Sequence, residues 1–239
     1  MPKKTVSLAE LLEAGAHFGH QAKRWHPKMR PYLYAARDGV HIFDLVQTEK
    51  GLQEACRYVD KITRAGQSLI FVGTKRQAQA IIAEEAKKAG FPYVAHRWLG
   101  GTISNWLQIK KSLDKLAEMT KKRQAGEFKT YTKKEQSQFD QIILRLTRRV
   151  GGLIGLQGPP EALFVVDVKK ELAAVREARL KGVTVIAVTD SNVDPGLVDY
   201  VIPANDDAVG TIKLLVTAIA KAAKAGKEVW EKKQKNRHE

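Results

Sequence analysis

Three histidines near the N-terminus, His17, His20 and His26, are close enough in sequence to share one site. Imidazole nitrogens bind divalent metals and exchange protons near neutral pH, so this cluster allows a metal site or a catalytic site. The same stretch, HFGHQAKRWHPKMRPY, is also rich in lysine and arginine. A surface that binds a polyanion is therefore a third interpretation.

A metal site would need ligands from distant parts of the chain. Cys56 is the single cysteine and falls in a helical pattern with apolar neighbours, so we predict a small core residue, and the usual four-ligand structural zinc set is absent from this neighbourhood. Carboxylates from the second half of the chain could approach if the fold brings them near the first helix. A structural divalent metal would then have these candidate ligands: His17, His20, Asp190, Asp206 and Asp207. We expect no other cofactor.

Motifs for hydrolysis and for nucleotide binding are missing from the sequence. No G-x-S-x-G nucleophile elbow occurs. The run SLIFVG leads into Gly73-Thr74-Lys75 and then a helical pattern, but its spacing matches neither G-x-G-x-x-G nor G-x-x-x-x-G-K-[ST]. We therefore favour Lys75 and Arg76 as contacts to a nucleic-acid phosphate. A nucleotide-dependent α/β enzyme whose basic arm binds substrate is the alternative.

Cations dominate the segment between Gln21 and Arg37, which contains no acidic residue. Lysine and arginine neutralise phosphates, while interleaved rings such as Trp25 stack on bases or riboses. A solvated basic loop with its rings in the core would explain the rings but not the absence of acids, so we favour a polyanion-binding surface. The predicted contacts are Lys23, Arg24, Lys28 and Arg30.

A second unusual run, HRWLGGTISNW, spans residues 96–106. Gly100 and Gly101 permit close approach of another backbone, and Arg97 and Asn105 supply hydrogen-bond donors. The glycines are equally typical of a hinge that only turns the chain. Both interpretations stay open, since a hinge and a contact surface can coincide.

The elements that would position these residues alternate between strand and helix. Short runs rich in valine and isoleucine, from SLIFVG to YVIP, are separated by amphipathic helical patterns, which predicts a doubly wound, mostly parallel α/β sheet. Upstream, Ser7 and Glu10 predict a capping box at the start of a short helix. YLYAARDGVHIFD predicts two strands joined at Asp38-Gly39, and a longer helix follows from about 48 to 65.

Residues 103–150 interrupt this alternation with two helical patterns, and Thr132 with Glu135 predicts a capping box on the second. We predict an antiparallel helical hairpin that protrudes from an α/β domain of residues 1–102 and 151–225. The hairpin has twelve lysines and arginines against five acids, and its candidate phosphate contacts are Lys110, Lys111, Lys121, Lys122 and Arg123. A last helix is predicted from near Asn205, and the charged tail, residues 226–239, is predicted to fray.

The chain of 239 residues carries 41 lysines and arginines against 26 acids, a net charge of +15. An excess of this size predicts an acidic partner such as nucleic acid or an anionic membrane. No segment approaches the roughly twenty apolar residues that span a bilayer. No large apolar face accompanies the cations, so we expect a cytoplasmic protein, and a membrane-surface protein is the weaker alternative.

The residues resemble a known family, that of the bacterial-type small-subunit ribosomal protein two. LLEAGAHFGH, WHPKMRPYLYAARDGVHIFDL, FVGTK, HRWLGGTISN, PPEALFVVD and VIAVTDSNVDPGLVDYVIPANDDAV occur in the family's order over about residues 5–225. The resemblance implies a flavodoxin-like α/β domain with a protruding hairpin, placed between the head and body of the small subunit. It implies a structural role in translation and no enzymatic activity. The implied partners are small-subunit rRNA and neighbouring ribosomal proteins, including the large OB-fold protein that captures mRNA, and not an isolated homo-oligomer.

Carried onto this chain, the resemblance implies rRNA contacts at Lys23, Arg24, Lys28, Arg30, Lys75, Arg97 and Asn105. The acidic motifs suggest an edge that faces a protein or binds an ion, because carboxylates would repel rRNA. This acidic edge consists of Asp190, Asp194, Asp206 and Asp207.

Overall fold

The computed structural model describes residues 6–238. The N-terminal part contains one helix, α1 (Leu8–Glu13), and a three-stranded antiparallel sheet. The strands of this sheet are β1 (Phe18–Gln21), β2 (Leu33–Arg37) and β3 (Val40–Phe43), in the order β1-β3-β2. The first five residues of the predicted α/β domain and Glu239 of the predicted tail lie outside the described residues.

Local sequence signals account for most of this N-terminal part. Ser7 and Glu10 form the predicted capping box, in which each side chain accepts a hydrogen bond from the other residue's backbone N–H. Asp38 and Gly39 join β2 to β3 with φ angles of 49° and 75°, as a tight two-residue turn with positive φ requires. The sequence does not predict β1, because Phe18-Gly19-His20-Gln21 lacks the β-branched residues and the alternation of a typical strand.

The large sheet has five parallel strands in the order β5-β4-β6-β7-β8. This is the flavodoxin-like order 2-1-3-4-5 when the five strands are counted along the chain, so the predicted fold class is confirmed. The strands are β4 (Leu69–Val72), β5 (Tyr93–Val94), β6 (Ala162–Val166), β7 (Thr184–Thr189) and β8 (Tyr200–Pro203). The central strands are buried along their whole length, which explains their continuous apolar runs.

Helices cover both faces of this sheet. The helices that follow the N-terminal sheet are α2 (Leu45–Arg64), α3 (Arg76–Ala89), α4 (Trp106–Gln124), α5 (Lys133–Val150), α6 (Leu172–Leu180) and α7 (Val209–His238). Phe71 and Phe164 pack on one face with residues of α2, α3 and α7. Val72 and Val165 pack on the other face with α6 and the beginning of α4. Successive strand residues therefore enter two separate cores, as the pleat requires.

The two helices of the cationic insert fold back on each other. A short turn of 3-10 helix (Glu127–Thr130) joins α4 to α5, and Phe128 stacks on Phe139 with ring centroids 4.6 Å apart. Arg123 at the end of α4 forms an ion pair with Asp140 in the first half of α5. Thr132 and Glu135 form the predicted capping box at the start of α5.

The C-terminal helix is longer than the sequence predicts. It begins at Val209 rather than near Asn205, and it continues through the charged residues to His238 where we predicted fraying. The reason is packing beyond residue 225. Lys227 Nζ donates a hydrogen bond to Gly90 O at 2.8 Å, and the indole of Trp230 lies against Gly66. These contacts order a segment whose composition alone indicates a solvated tail.

Gly226 lies where α7 crosses α2, so we expect Gly226→Ala to destabilise the fold. A Cβ at Gly226 would lie 2.0 Å from Thr63 Oγ1 and 2.7 Å from Asp60 O. Alanine normally stabilises a helix relative to glycine, but here overpacking should lower the free energy of unfolding by about 1–3 kcal/mol. Urea denaturation measures this change. Ala225→Ser at the exposed neighbouring position is the control and should change stability by less than about 1 kcal/mol; a stabilised Gly226→Ala variant would contradict the close crossing.

Candidate nucleic-acid interface

The N-terminal basic segment, residues 22–32, is held against the large sheet domain. It consists of two turns of 3-10 helix, Ala22–Arg24 and Pro27–Tyr32. Met29 is fully buried beneath the second turn, and His26 N donates a hydrogen bond to Ser191 O at 2.7 Å. A buried anchor and a backbone bond to the loop after β7 therefore fix where this segment points.

The predicted contacts in this segment differ in their partners. Lys23, Arg24 and Arg30 are exposed, and within residues 6–238 no carboxylate pairs with them. Lys28 is also exposed, but its Nζ lies 2.8 Å from Asp194 Oδ2. That contact lowers the pKa of the Asp194 carboxyl. The Trp25 ring is half-buried and lies 5.0 Å from the ring of His41, so it packs partly within the protein.

His20 attaches the beginning of the segment to the loop after β7. Its backbone N–H donates to Asp190 Oδ1 and Ser191 Oγ, and its Nδ1 lies 3.0 Å from Asp190 Oδ1. The hydrogen bond to Asp190 raises the pKa of the His20 imidazole. A protonated His20 therefore strengthens this attachment.

The structure brings together three of the five candidate metal ligands. One nitrogen of His20 and one oxygen each of Asp190 and Asp206 lie within 4.8 Å of one another. Imidazole nitrogen and carboxylate oxygen are donors that zinc accepts, so this group could hold a divalent cation. Asp207 Oδ2 lies 3.7 Å from His20 Nε2. His17 is not part of the group, because its ring packs on Phe18 and its buried Nδ1 has no hydrogen-bond partner among the described residues.

Lys75 lies at the switch point of the sheet, between β4 and its neighbour β6. The helix that follows β4 and the helix that follows β6 pack on opposite faces of the sheet. Its Nζ lies 2.6 Å from Asp206 Oδ1, 2.6 Å from Asp207 Oδ1 and 3.2 Å from Asp167 Oδ2. The side chain is only 11% exposed. We predicted a phosphate contact for Lys75, but this geometry favours a structural role because three carboxylates already surround the ammonium group.

Burial and charge act in opposite directions on this cluster. Burial acts to lower the pKa of Lys75, but the contacts with Asp206, Asp207 and Asp167 outweigh it and raise that pKa. Burial, together with the nearby Asp167 and Asp190, raises the pKa of Asp206 although Lys75 opposes the shift. Several carboxylates share one ammonium group, so the ammonium is strongly stabilised and the pKa of Lys75 rises. At least one carboxylate is incompletely neutralised, so the pKa of Asp206 rises as well.

The run HRWLGGTISNW is anchored by a residue that sequence analysis did not single out. Glu177 on α6 accepts five hydrogen bonds, from Trp98 Nε1, Gly101 N, Ile103 N, Ser104 N and Ser104 Oγ. Partial burial acts to raise the pKa of Glu177, but these donors outweigh it and lower that pKa. Arg97 and Asn105 flank this bonded loop and are exposed. The loop is therefore a rigid base for α4 that also presents two polar side chains to solvent.

The hairpin cations fall into two groups. Lys122 lies 2.6 Å from Glu118, and Arg123 lies 2.8 Å from Asp140. Lys110, Lys111 and Lys121 are exposed and have no ion-pair partner within the described part of the chain. Exposed ion pairs contribute little, so all five cations remain accessible to phosphate.

The acidic edge is only partly at the surface. Asp190 and Asp206 are buried, whereas Asp207 is 53% exposed and Asp194 is half-buried against Lys28. Asp207 and Asp194 are therefore the two members that a partner could reach. Within residues 6–238, no helix is long and apolar enough to cross a bilayer.

Comparison with known proteins decides the family. A family model described as Ribosomal protein S2 matches residues 11–226. The "Small ribosomal subunit protein uS2" of Roseiflexus sp. (strain RS-1) is 48% identical over 236 residues, which are 99% of this chain and 90% of that protein. The chain belongs to the ribosomal protein S2 family. Proteins of the same name from Chloroflexus aggregans and Psychrobacter cryohalolentis are 46% and 45% identical, each over 93% of this chain and over 94% and 84% of their own lengths.

Membership of the ribosomal protein S2 family confirms the resemblance found in the sequence. The chain is a ribosomal protein of the small subunit that takes part in translation, and it is a structural protein and not an enzyme. The alternative of a nucleotide-dependent enzyme is therefore wrong. The residue-by-residue assignment of rRNA contacts stays a prediction.

The anchoring role of Glu177 predicts that Glu177→Gln loosens the base of α4. The amide keeps one acceptor but turns its NH2 group toward backbone donors, so the free energy of unfolding should fall by roughly 1–3 kcal/mol at pH 7. Because the pKa of Glu177 is lowered, its contribution is complete above the ordinary glutamate value of 4.5 and is lost as the pH falls through the folded value. The difference in free energy of unfolding between the unmodified chain and Glu177→Gln should therefore become smaller below pH 4.5.

Urea denaturation at several pH values measures this narrowing. Glu118→Gln is the matched control, because its carboxylate forms an exposed pair with Lys122, and it should cost less than about 1 kcal/mol. Equal losses in the two variants would show that the five hydrogen bonds do not anchor the loop.

Proposed function

We propose that the chain binds small-subunit rRNA between the head and body of the subunit through two separate basic surfaces. One is the N-terminal basic segment, and the other is the hairpin formed by α4 and α5. The observation that carries the proposal is the exposure of Lys23, Arg24 and Arg30, without ion-pair partners among the described residues, on a segment fixed by Met29. Free cations in a fixed position bind phosphates without the cost of ordering a flexible loop.

Rigid attachment of both surfaces to one sheet supports the two-surface arrangement. The basic segment is bonded to the loop after β7, and the hairpin base is bonded to α6, which immediately precedes β7 in the chain. The relative position of the two surfaces is therefore set by the core. Such a protein holds together rRNA segments that are distant in the rRNA sequence, and it acts in the cytoplasm as part of the ribosome.

Removal of the free cations should weaken association with the subunit. The variant Lys23→Ala, Arg24→Ala, Arg30→Ala should rebind more weakly to small subunits that lack this protein, and its logarithmic salt slope should fall by about two to three units. Sedimentation at several salt concentrations measures both quantities. The control removes three exposed cations of α2, Lys50, Arg57 and Lys61, and should leave the slope within about one unit of the original value. An unchanged slope in the first variant would remove the basic segment from the interface.

The acidic edge supports a second part of the proposal, contact with the OB-fold ribosomal protein that captures mRNA. Carboxylates repel phosphates, so this edge is suited to a protein partner. Asp207 is the most exposed member, and it shares the single ammonium group of Lys75 with Asp206 and Asp167. An exposed residual negative charge attracts a basic segment of a partner.

We expect Asp207→Asn to reduce the amount of OB-fold protein that copurifies with small subunits by a few-fold, because one exposed rim charge contributes modestly to association. The amount of this chain in the subunits should not change. Quantitative mass spectrometry of purified subunits measures both proteins. Glu54→Gln, an exposed acid on α2, is the control. An unchanged amount of OB-fold protein on Asp207→Asn subunits that contain the normal amount of this chain would reject a docking role for Asp207.

A further inference from the structure

A cleft lined by several cations lies between α3 of the sheet domain and the end of α5 in the hairpin. It has a volume of about 420 Å³. Helix α3 forms one wall with Arg76 and Lys87, the end of α5 forms the other with Arg148 and Arg149, and β5 with the residues after it forms the floor. This volume is within the range of roughly 300–1,000 Å³ that is typical of ligand sites.

The charge of this cleft is uncompensated. The lining residues include four permanent cations and His96, and no carboxylate is among them in the described part of the chain. Lys88, the neighbour of Lys87 on α3, is in contrast paired, because its Nζ lies 2.7 Å from Glu84 and 2.8 Å from Glu85. Cations held together on two facing walls repel one another and attract an anion into the space between them.

The cleft is built by a close backbone contact rather than by chance proximity of side chains. Gly152, just after α5, lies against β5, and a Cβ at this position would be 2.2 Å from Tyr93 O and 3.0 Å from two ring atoms of Tyr93. Only glycine permits this approach. The end of the hairpin is thereby fixed beside the edge strand, and the distance between the two cationic walls is fixed with it.

The floor of the cleft does not allow a base to stack on the Tyr93 ring. Lys87 Nζ lies 5.5 Å from the centroid of the Tyr93 ring, and the backbone of Gly152 packs against the same ring. A ring covered in this way is not free to stack on a base. The arginines, in contrast, offer planar donor groups that match phosphate oxygens. The chemistry of the cleft therefore fits a sugar–phosphate backbone and not the bases.

We propose that this cleft binds the phosphate backbone of one rRNA segment, as a third contact distinct from the N-terminal basic segment and from the outer hairpin cations. This inference rests on the proposed function, because it takes rRNA as the anion. Arg76, Lys87, Arg148 and Arg149 neutralise the phosphates, and Gly152 keeps the walls in place. Binding here is independent of base sequence and holds the junction of the hairpin and the sheet domain against rRNA.

The test uses the full chain and small subunits that have been depleted of this protein. The cleft variant, Arg76→Gln, Lys87→Gln, Arg148→Gln, Arg149→Gln, is compared with a charge-matched variant of exposed α7 residues, Lys221→Gln, Lys224→Gln, Lys232→Gln, Lys233→Gln. The cleft variant should rebind about tenfold or more weakly at moderate salt, and its logarithmic salt slope should fall by about three units, whereas the α7 variant should lose about one unit or less. Circular dichroism and the melting temperature check that both variants fold.

Hydroxyl-radical footprinting of the rebound unmodified chain gives a readout that does not depend on any variant. Protection of side chains within residues 93–97 or 145–149 is expected. If the unmodified chain rebinds but both variants have the same salt slope, or if protection occurs only on the N-terminal basic segment and the outer hairpin, the cleft proposal is overturned and the proposed function stands. If the unmodified chain does not rebind at any salt concentration, the proposed function fails and this inference fails with it.

Discussion

The ion cluster around Lys75 is the interaction on which the arrangement of the functional surfaces depends. In an open parallel sheet the crevice at the switch point is where ligands normally bind. Here the Lys75 ammonium group fills it, and it bridges carboxylates that follow β6 and β8. A buried ammonium without carboxylates, or the carboxylates without it, would be strongly destabilising, so the loops that carry them must stay together. The Lys75 cluster is therefore a structural junction between the loops that follow β4, β6 and β8.

Charge separation follows from this junction. Several acids at the carboxyl ends of the strands form ion pairs with Lys75, His20 or Lys28. The N-terminal basic segment and the cleft at the base of the hairpin contain no carboxylate. Part of the net charge of +15 is thus concentrated on surfaces that are separate from the acidic edge. A molecule organised in this way binds a polyanion over a large area and leaves one edge suited to a protein.

The sequence predicts what local chemistry decides and misses what distant contacts decide. Strand and helix alternation, both capping boxes and the Asp38-Gly39 turn depend on neighbouring residues, and the structure agrees with each. The phosphate contact predicted for Lys75 comes from its position after a strand, and the sequence does not indicate the ion pair of Lys75 with Asp206, which is 131 residues away. Glu177 gave no signal at all, since five donors converge on it only after the chain folds. The tail is ordered by Trp230 against Gly66, a contact that composition cannot indicate.

Preorganisation links the fold to the binding of a large nucleic acid. Ordering each flexible side chain or loop at an interface costs free energy that reduces affinity. This chain is already ordered before binding: Met29 and Ser191 hold the basic segment, Glu177 holds the base of α4, and Gly152 holds the end of α5 beside β5. None of these four residues is a cation. Under the proposed function, Glu177 and Gly152 are positioning residues for the cations, and a search for function among lysines and arginines alone would overlook them.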